Sequence, residues 1–269
     1  MIKNIALLIL VILVGYLLFW PVSIDPVAWQ APEAPALEGP YASNSALAKS
    51  RSLAVDEGVG PEDVAIDDDG FLYVGYVDGR IVRFDPDGSN PDLIADTKGR
   101  PLGLDFDPQG NLIVADGYKG LLSISPSGAI AALSQRANGV DYRFTDDVDA
   151  DSNGVIYFTD ASSKFGPALH ARDDILEHGG HGRLLRYDPA TEKAEVLLDG
   201  LQFANGVALS QDEDFVLVNE TGSYRIVRYW LKGDKAGSHD VFFDNLPGIP
   251  DGVSANGNVL RVSANEGPV

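Results

Sequence analysis

The sequence predicts an all-β fold, a β-propeller preceded by one apolar helix of membrane length, and three observations carry that reading. A four-residue phrase recurs five times, as Pro61-Glu62-Asp63-Val64, Pro101-Leu102-Gly103-Leu104, Thr145-Asp146-Asp147-Val148, Ala204-Asn205-Gly206-Val207 and Pro250-Asp251-Gly252-Val253. Most copies run through a short polar turn into an apolar strand, such as Asp69-Gly70-Phe71-Leu72-Tyr73-Val74 or Asn153-Gly154-Val155-Ile156-Tyr157-Phe158. The second residue of the phrase falls at 62, 102, 146, 205 and 251. A period of about 40–50 residues made of short strands is the pattern of one propeller blade per repeat.

The elements follow in order. Ile5 to Trp20 is an uninterrupted run of apolar residues and glycine, with Lys3 the only charge before it. Its length lies near the lower end of the spanning range. No small-residue cleavage site follows directly, because Phe19-Trp20-Pro21 is bulky, so an uncleaved signal anchor is favoured over a cleaved signal peptide. Lys3 predicts a single-pass segment with its N-terminus inside, which places the rest in a periplasm or lumen. Tyr16, Phe19 and Trp20 suit the outer interface. Residues 1–23 therefore read as the anchor and 24–55 as a tether rich in proline, with a strand expected near Ser52–Val55. Residues 56–269 read as the propeller. Its first repeat shows four short strands cut by turns at Asp69-Gly70, Asp78-Gly79 and Asp87-Gly88, which is what one blade needs.

Equivalent residues of successive blades form a ring around one channel. Here that ring reads Glu62, Leu102, Asp146, Asn205 and Asp251, and four converging oxygen donors suit a hard divalent cation such as Ca2+. Asp63 and Asp147, one residue on, are expected to point away from the axis and bond loop backbone. In repeat three the loop between the second and third strands swells from about Ala161 to Gly182 and holds His170, His178 and His181. An overhanging loop with its own histidines is a candidate lid and acid/base source.

Composition narrows the partners. The chain of 269 residues carries 20 basic and 40 acidic residues, a net charge of −20. That balance disfavours nucleic acid and anionic lipid. There is no cysteine, which excludes disulfides and thiol chemistry.

Gly99-Arg100-Pro101-Leu102-Gly103-Leu104, Val114-Ala115-Asp116-Gly117-Tyr118-Lys119-Gly120, the run from Val155 to Phe165 and Gly182-Arg183-Leu184-Leu185-Arg186-Tyr187 resemble strictosidine-synthase-like proteins. The resemblance is to the branch of the adipocyte plasma-membrane-associated protein, whose members also carry an N-terminal anchor. It implies a six-bladed propeller, related more distantly to paraoxonases and to gluconolactonases of the senescence-marker type. In those relatives a channel metal, usually calcium, is held by Glu, Asn and Asp at the starts of inner strands. Their motifs match at Glu62, Asn205 and Asp251, and Asp146 stands where Asn is common. Leu102 takes the position of a catalytic histidine of paraoxonases, so a histidine dyad is not carried over. The glutamate that strictosidine synthase uses in its sixth blade has no counterpart.

After Asn258 the tail Val259 to Val269 no longer resembles the family. The expectation is therefore a chain truncated to about five blades, with an open edge available for self-association. Three functions remain in view. A calcium-dependent hydrolase of esters or lactones would use Glu62, Asp146, Asn205 and Asp251 as metal ligands, with Asp251, His178 or His181 activating water. A non-catalytic, membrane-anchored binding or scaffold propeller is the alternative. A condensing enzyme of the strictosidine synthase type is disfavoured by the oxygen-rich ring.

Overall fold

The recurring phrase opens the innermost strand of a separate antiparallel sheet in every repeat. The computed structural model describes residues 2–167, 171–256 and 259–265, so His170, Asn258 and the last four residues lie outside the described residues. The chain begins with α1 (Ile2–Phe19), whose 18 residues include none that is buried. At 1.5 Å per residue it is roughly 27 Å long, about the thickness of a bilayer's hydrocarbon core.

From residue 20 to residue 63 the chain forms no strand. The strand expected near Ser52–Val55 is instead a turn. Ala54 and Asp56 take φ of 50° and 73°, left-handed values that an extended strand cannot accommodate.

Sheet one is β1 (Val64–Ile66), β2 (Leu72–Gly75), β3 (Arg80–Phe84) and β4 (Asp92–Asp96). Sheet two is β5 (Pro101–Phe106), β6 (Leu112–Asp116), β7 (Gly120–Ile124) and β8 (Ile130–Ser134). A small hairpin of β9 (Arg136–Ala137) and β10 (Val140–Asp141) follows. Sheet three is β11 (Thr145–Ala150), β12 (Ile156–Asp160), β13 (Gly182–Asp188) and β14 (Lys193–Leu201), with α2 (Ala171–Glu177) inserted before β13. Sheet four is β15 (Ala204–Leu209), β16 (Phe215–Glu220), β17 (Arg225–Trp230) and β18 (His239–Phe243). In each of these four sheets the strands pair in chain order.

The fifth phrase opens β19 (Ile249–Asn256), which pairs with β20 (Val259–Asn265). The segment after Asn258 does not resemble the family in sequence, yet Val259–Asn265 continues the sheet. Leu260-Arg261-Val262-Ser263 alternates apolar and polar residues as a strand does, so it can pair whatever its family resemblance.

The core lies in the seams between successive sheets. One cluster joins Ile81 and Ala95 of sheet one to Leu104, Val114 and Leu122 of sheet two. The next joins Ile113 and Leu121 to Val148, Phe158 and Leu185. A third joins Leu184 and Leu198 to Val207, Val216 and Val227. Each fully buried side chain of this kind contributes on the order of 1.5–3 kcal/mol. Face-to-face stacking of blades thus holds the inner strands side by side around a channel.

Candidate functional site

Bulges aim the ring residues. The inner-strand ladders break between Pro101 and Gly103, Thr145 and Val148, Ala204 and Val207, and Pro250 and Val253. A bulge leaves residues unpaired and re-aims their side chains, and the unpaired residues include Leu102, Asp146, Asn205 and Asp251. The small residue that follows is required by packing. A Cβ on Gly103 would lie 2.5 Å from the Asp147 Cα, and one on Gly206 would lie 2.5 Å from the Val253 nitrogen.

The inner strands enclose a cavity of about 600 Å3. The structure brings Glu62, Leu102, Asp146, Asn205 and Asp251 together on its wall. Leu102 is buried with Phe144, Ala161 and Phe203, so the fifth ring position seals the wall with hydrocarbon. The other four present oxygen. Asn205 Nδ2 donates to Asp251 Oδ1 at 2.8 Å. Asn219 Nδ2 and Thr221 Oγ1 donate to the carbonyls of Asp251 at 2.6 Å and Pro250 at 2.7 Å, which pins this stretch of β19.

The electrostatics are those of crowded carboxylates. Burial pushes Asp146 well above the ordinary carboxylate range, and the charges of Asp251 and Glu62 push it further. Burial also raises Glu62; the Arg100 guanidinium opposes this and Asp251 adds to it. Arg100 Nη2 donates to Glu62 Oε1 at 2.8 Å, and its Nη1 donates to the Gly60 carbonyl at 2.8 Å. Arg100 stands directly before the second phrase, but no repeat marks it as a rim residue, because the other phrases have no arginine there.

Oxygen donors, three of them carboxylates facing one guanidinium, suit a hard cation. Two buried oxygens belonging to residues next to the rim lack hydrogen-bond partners among the described residues, Thr145 Oγ1 beside Asp146 and Asn219 Oδ1. As placed, no group of three His, Asp or Glu side chains among the described residues stands close enough to hold an ion. The donor chemistry fits a divalent cation, and closing on one asks Glu62 to exchange Arg100 for it.

A second acidic layer lines the same cavity. Asp63 and Asp147 do bond backbone, but that of the neighbouring inner strand and not of loops. Asp63 Oδ2 accepts from the Leu104 N–H at 2.9 Å and Asp147 Oδ2 from the Val207 N–H at 2.8 Å. Asp105 and Asp149 repeat this on the Ala150 and Leu209 N–H groups at 2.8 and 2.7 Å. Burial raises all four. Asp105 lies at about 6 and Asp149 at about 7, the latter lifted further by the charge of Asp105. A third set, Asp116, Asp160 and Glu220, closes β6, β12 and β16 and accepts from the loop N–H groups of Arg100, Phe144 and Gln202. These carboxylates fix the loops that lead into the phrases.

His178 and His181 are held elsewhere and do not line the cavity. His178 stacks on Trp29 with ring centroids 4.5 Å apart, and burial lowers its affinity for a proton while Glu220 opposes this. His181 Nε2 lies 2.6 Å from Glu177 Oε1. Burial alone would raise the Glu177 carboxyl, but hydrogen bonds from Lys164, His181 and the Asp25 N–H outweigh it and hold it at about 2.

Stacked antiparallel sheets around an oxygen-lined acidic channel define a β-propeller with a polar central site. Solved structures share this fold. A gluconolactonase from Xanthomonas campestris superposes with a TM-score of 0.64 at 24% identity, covering 78% of this chain and 71% of its own. The calcium-binding protein regucalcin from Agrobacterium tumefaciens superposes with a TM-score of 0.60 at 14% identity, covering 77% and 68%. The strictosidine synthase family profile matches residues 146–234, and the strictosidine synthase-like N-terminal profile matches residues 39–84. The Arabidopsis thaliana protein strictosidine synthase-like 10 is 43% identical over 221 residues. That match takes in 74% of this chain and 59% of the relative, so the chain spans less than two thirds of it. The adipocyte plasma membrane-associated protein of Rattus norvegicus is 37% identical over 260 residues, covering 90% of this chain and 68% of its own. The chain belongs to the strictosidine-synthase-like family.

Proposed function

We propose that this chain is a membrane-anchored hydrolase of esters or lactones that depends on a divalent cation, with calcium the first choice. The observation that carries the reading is the convergence of Glu62, Asp146, Asn205 and Asp251 on one channel wall, three carboxylates of which Glu62 pairs with Arg100. These four residues would hold the ion. When bound, it supplies Lewis-acid polarisation of a carbonyl and stabilises the developing oxyanion. Asp251 is the general base for water. Its side chain is oriented by Asn205 and its backbone is pinned by Asn219, so the carboxylate is positioned before substrate arrives. The proposal assigns no base to His178 or His181, which Trp29 and Glu177 engage. Leu102, backed by Phe144 and Phe203, offers an apolar patch on the cavity wall for the acyl chain or ring. The solved gluconolactonase shares the fold, which makes lactones a reasonable first class to test.

Anchoring rests on α1 and on Lys3 in its first turn, with the N-terminus inside and the propeller outside the cytoplasm. A second reading, a non-catalytic binding propeller, is favoured by the Arg100–Glu62 ion pair, which already occupies one proposed ligand.

Thermal unfolding of the full chain in detergent, titrated with calcium against an EDTA control, tests the proposal. Calcium should raise the melting temperature of the wild type and leave Glu62→Gln unmoved. Aryl esters and lactones should then be turned over only by the calcium-loaded wild type. A folded wild type indifferent to calcium would point to the binding propeller instead.

A further inference from the structure

The tether is docked onto α2 by main-chain and side-chain contacts. Ser23 Oγ donates to Asp173 Oδ2 at 3.1 Å. The Asp25 N–H donates to Glu177 Oε2 at 2.8 Å, and the Val27 N–H donates to the Glu177 carbonyl at 2.8 Å. Trp29 then stacks on His178 at 4.5 Å and on Tyr224 at 6.1 Å. Around Glu177, itself 3% exposed along its side chain, this arrangement collects four large apolar residues that stay open to solvent. Val27 is 55% exposed, Trp29 43%, Ile175 38% and Leu176 58%.

Chain length says what covers them. Phe19 ends α1, and Ser23 is already bonded to α2. Four residue steps reach at most about 14 Å even when fully extended. A helix that crosses a membrane therefore delivers α2 to within that distance of its own outer end, where the interfacial layer of the bilayer lies. Single exposed apolar residues need no explanation, but an apolar cluster held at such a place does. An exposed tryptophan beside aliphatic residues is the composition that sits at a bilayer interface.

We infer that α2 and the docked tether form a bilayer-contact surface, in which Val27, Trp29, Ile175 and Leu176 rest in the headgroup–acyl boundary of the membrane that holds α1. The inference rests on the anchoring proposed above. The surface is apolar and flanked by acidic groups such as Asp25, 95% exposed along its side chain. Its partner is accordingly zwitterionic lipid, and salt should affect the contact little. There is a consequence for the channel. Thr145 pairs with Asp160, and Asp160 with Arg183, so the insertion carrying α2 leaves its sheet at the same end as Asp146. The cavity rim and the lipid contact share one end of the propeller.

Because the chain lacks cysteine, a single introduced thiol reports one site. The full chain would be reconstituted into phosphatidylcholine vesicles as Leu176→Cys carrying an environment-sensitive fluorophore. Asn153→Cys, in the exposed turn at the opposite end of sheet three, serves as the reference. The label at 176 should emit to the blue of the reference, be quenched several-fold more by shallow nitroxide lipids, and be shielded from iodide, at low and high salt alike. Vesicles that float with the protein while the 176 label is as wet as the 153 label would overturn the contact and leave anchoring intact. Protein that fails to float would overturn anchoring and the contact with it. Should Leu176→Cys not fold, Ile175→Cys gives the same reading from the adjacent position.

Discussion

The channel holds two layers of carboxylates, and they differ in what they bond. In the deeper layer, Asp63, Asp105, Asp147 and Asp149 each accept a backbone N–H from the inner strand of the next sheet. An inner strand is an edge strand, and its free N–H groups need acceptors. These side chains are therefore seam fasteners. On the rim, Asp146 accepts no hydrogen bond among the described residues, Glu62 faces Arg100, and Asp251 faces Asn205. Rim groups meet one another across open space, at an electrostatic cost shared by Asp146 and Glu62. The same residue type is a structural part in one layer and a candidate reactive part in the other. Charge should matter on the rim, and acceptor capacity should matter beneath it.

Asp146→Asn breaks the comparison most sharply. It keeps shape and acceptor but removes a charge. Under the proposed function, hydrolysis of the best ester or lactone should fall about 100-fold, equivalent to about 2.7 kcal/mol of transition-state stabilisation. The calcium-induced rise in melting temperature should shrink at the same time. The metal-free fold should be at least as stable as the wild type, because one crowded carboxylate is gone. Steady-state kinetics and calcium-dependent unfolding on the same sample check both halves. A variant with unchanged turnover would remove Asp146 from the site.

At Asp147 the contrast inverts. Asp147→Ala leaves the Val207 and Val148 N–H groups without their acceptor in the seam between sheets three and four. An unsatisfied buried group costs about 1–3 kcal/mol, so the melting temperature should drop by several degrees. Asp147→Asn keeps one acceptor oxygen but turns its NH2 toward the second N–H, so it should fall between alanine and the wild type. If alanine and asparagine were equally harmful, the charge would be what matters, and the two layers would not differ as argued.

Much of this was legible beforehand, and the reasons are specific. A propeller returns equivalent residues to one radius, so a phrase repeated at 62, 102, 146, 205 and 251 discloses a ring without any coordinates. The bulge that aims those residues was not legible, because the reason for Gly103 and Gly206 is a neighbouring inner strand that leaves no room for a Cβ. The deeper layer was half legible. Asp147 and Asp149 are two apart on one strand and so share a face, and Asp105 and Asp149 occupy the same position after their phrases. What alternation does not reveal is that the acceptors serve the next sheet. The environment of His178 was out of reach, because it depends on Trp29, part of a tether that docks about 150 residues away. Local pattern carries no trace of such contacts.

Asp149→Asn tests the mildest consequence of the comparison. Asp105 at about 6 and Asp149 at about 7 both lie above the unfolded value of 3.8. For acids raised in this way, the folded chain keeps a proton that the unfolded chain has already released. The folded state binds more protons through the window from about 4 to 7, so stability falls as pH climbs through it and levels off above. Asparagine at 149 retains the acceptor for the Leu209 N–H and cannot ionise. In metal-free buffer the variant should match the wild type near pH 5. At pH 8 it should melt about 2–4 °C higher, for a gain on the order of 1 kcal/mol. Paired melts at the two pH values decide the matter: the gap must open with rising pH. A gap of the same size at both would mean that packing, not the suppressed charge, sets the energy of the deeper layer.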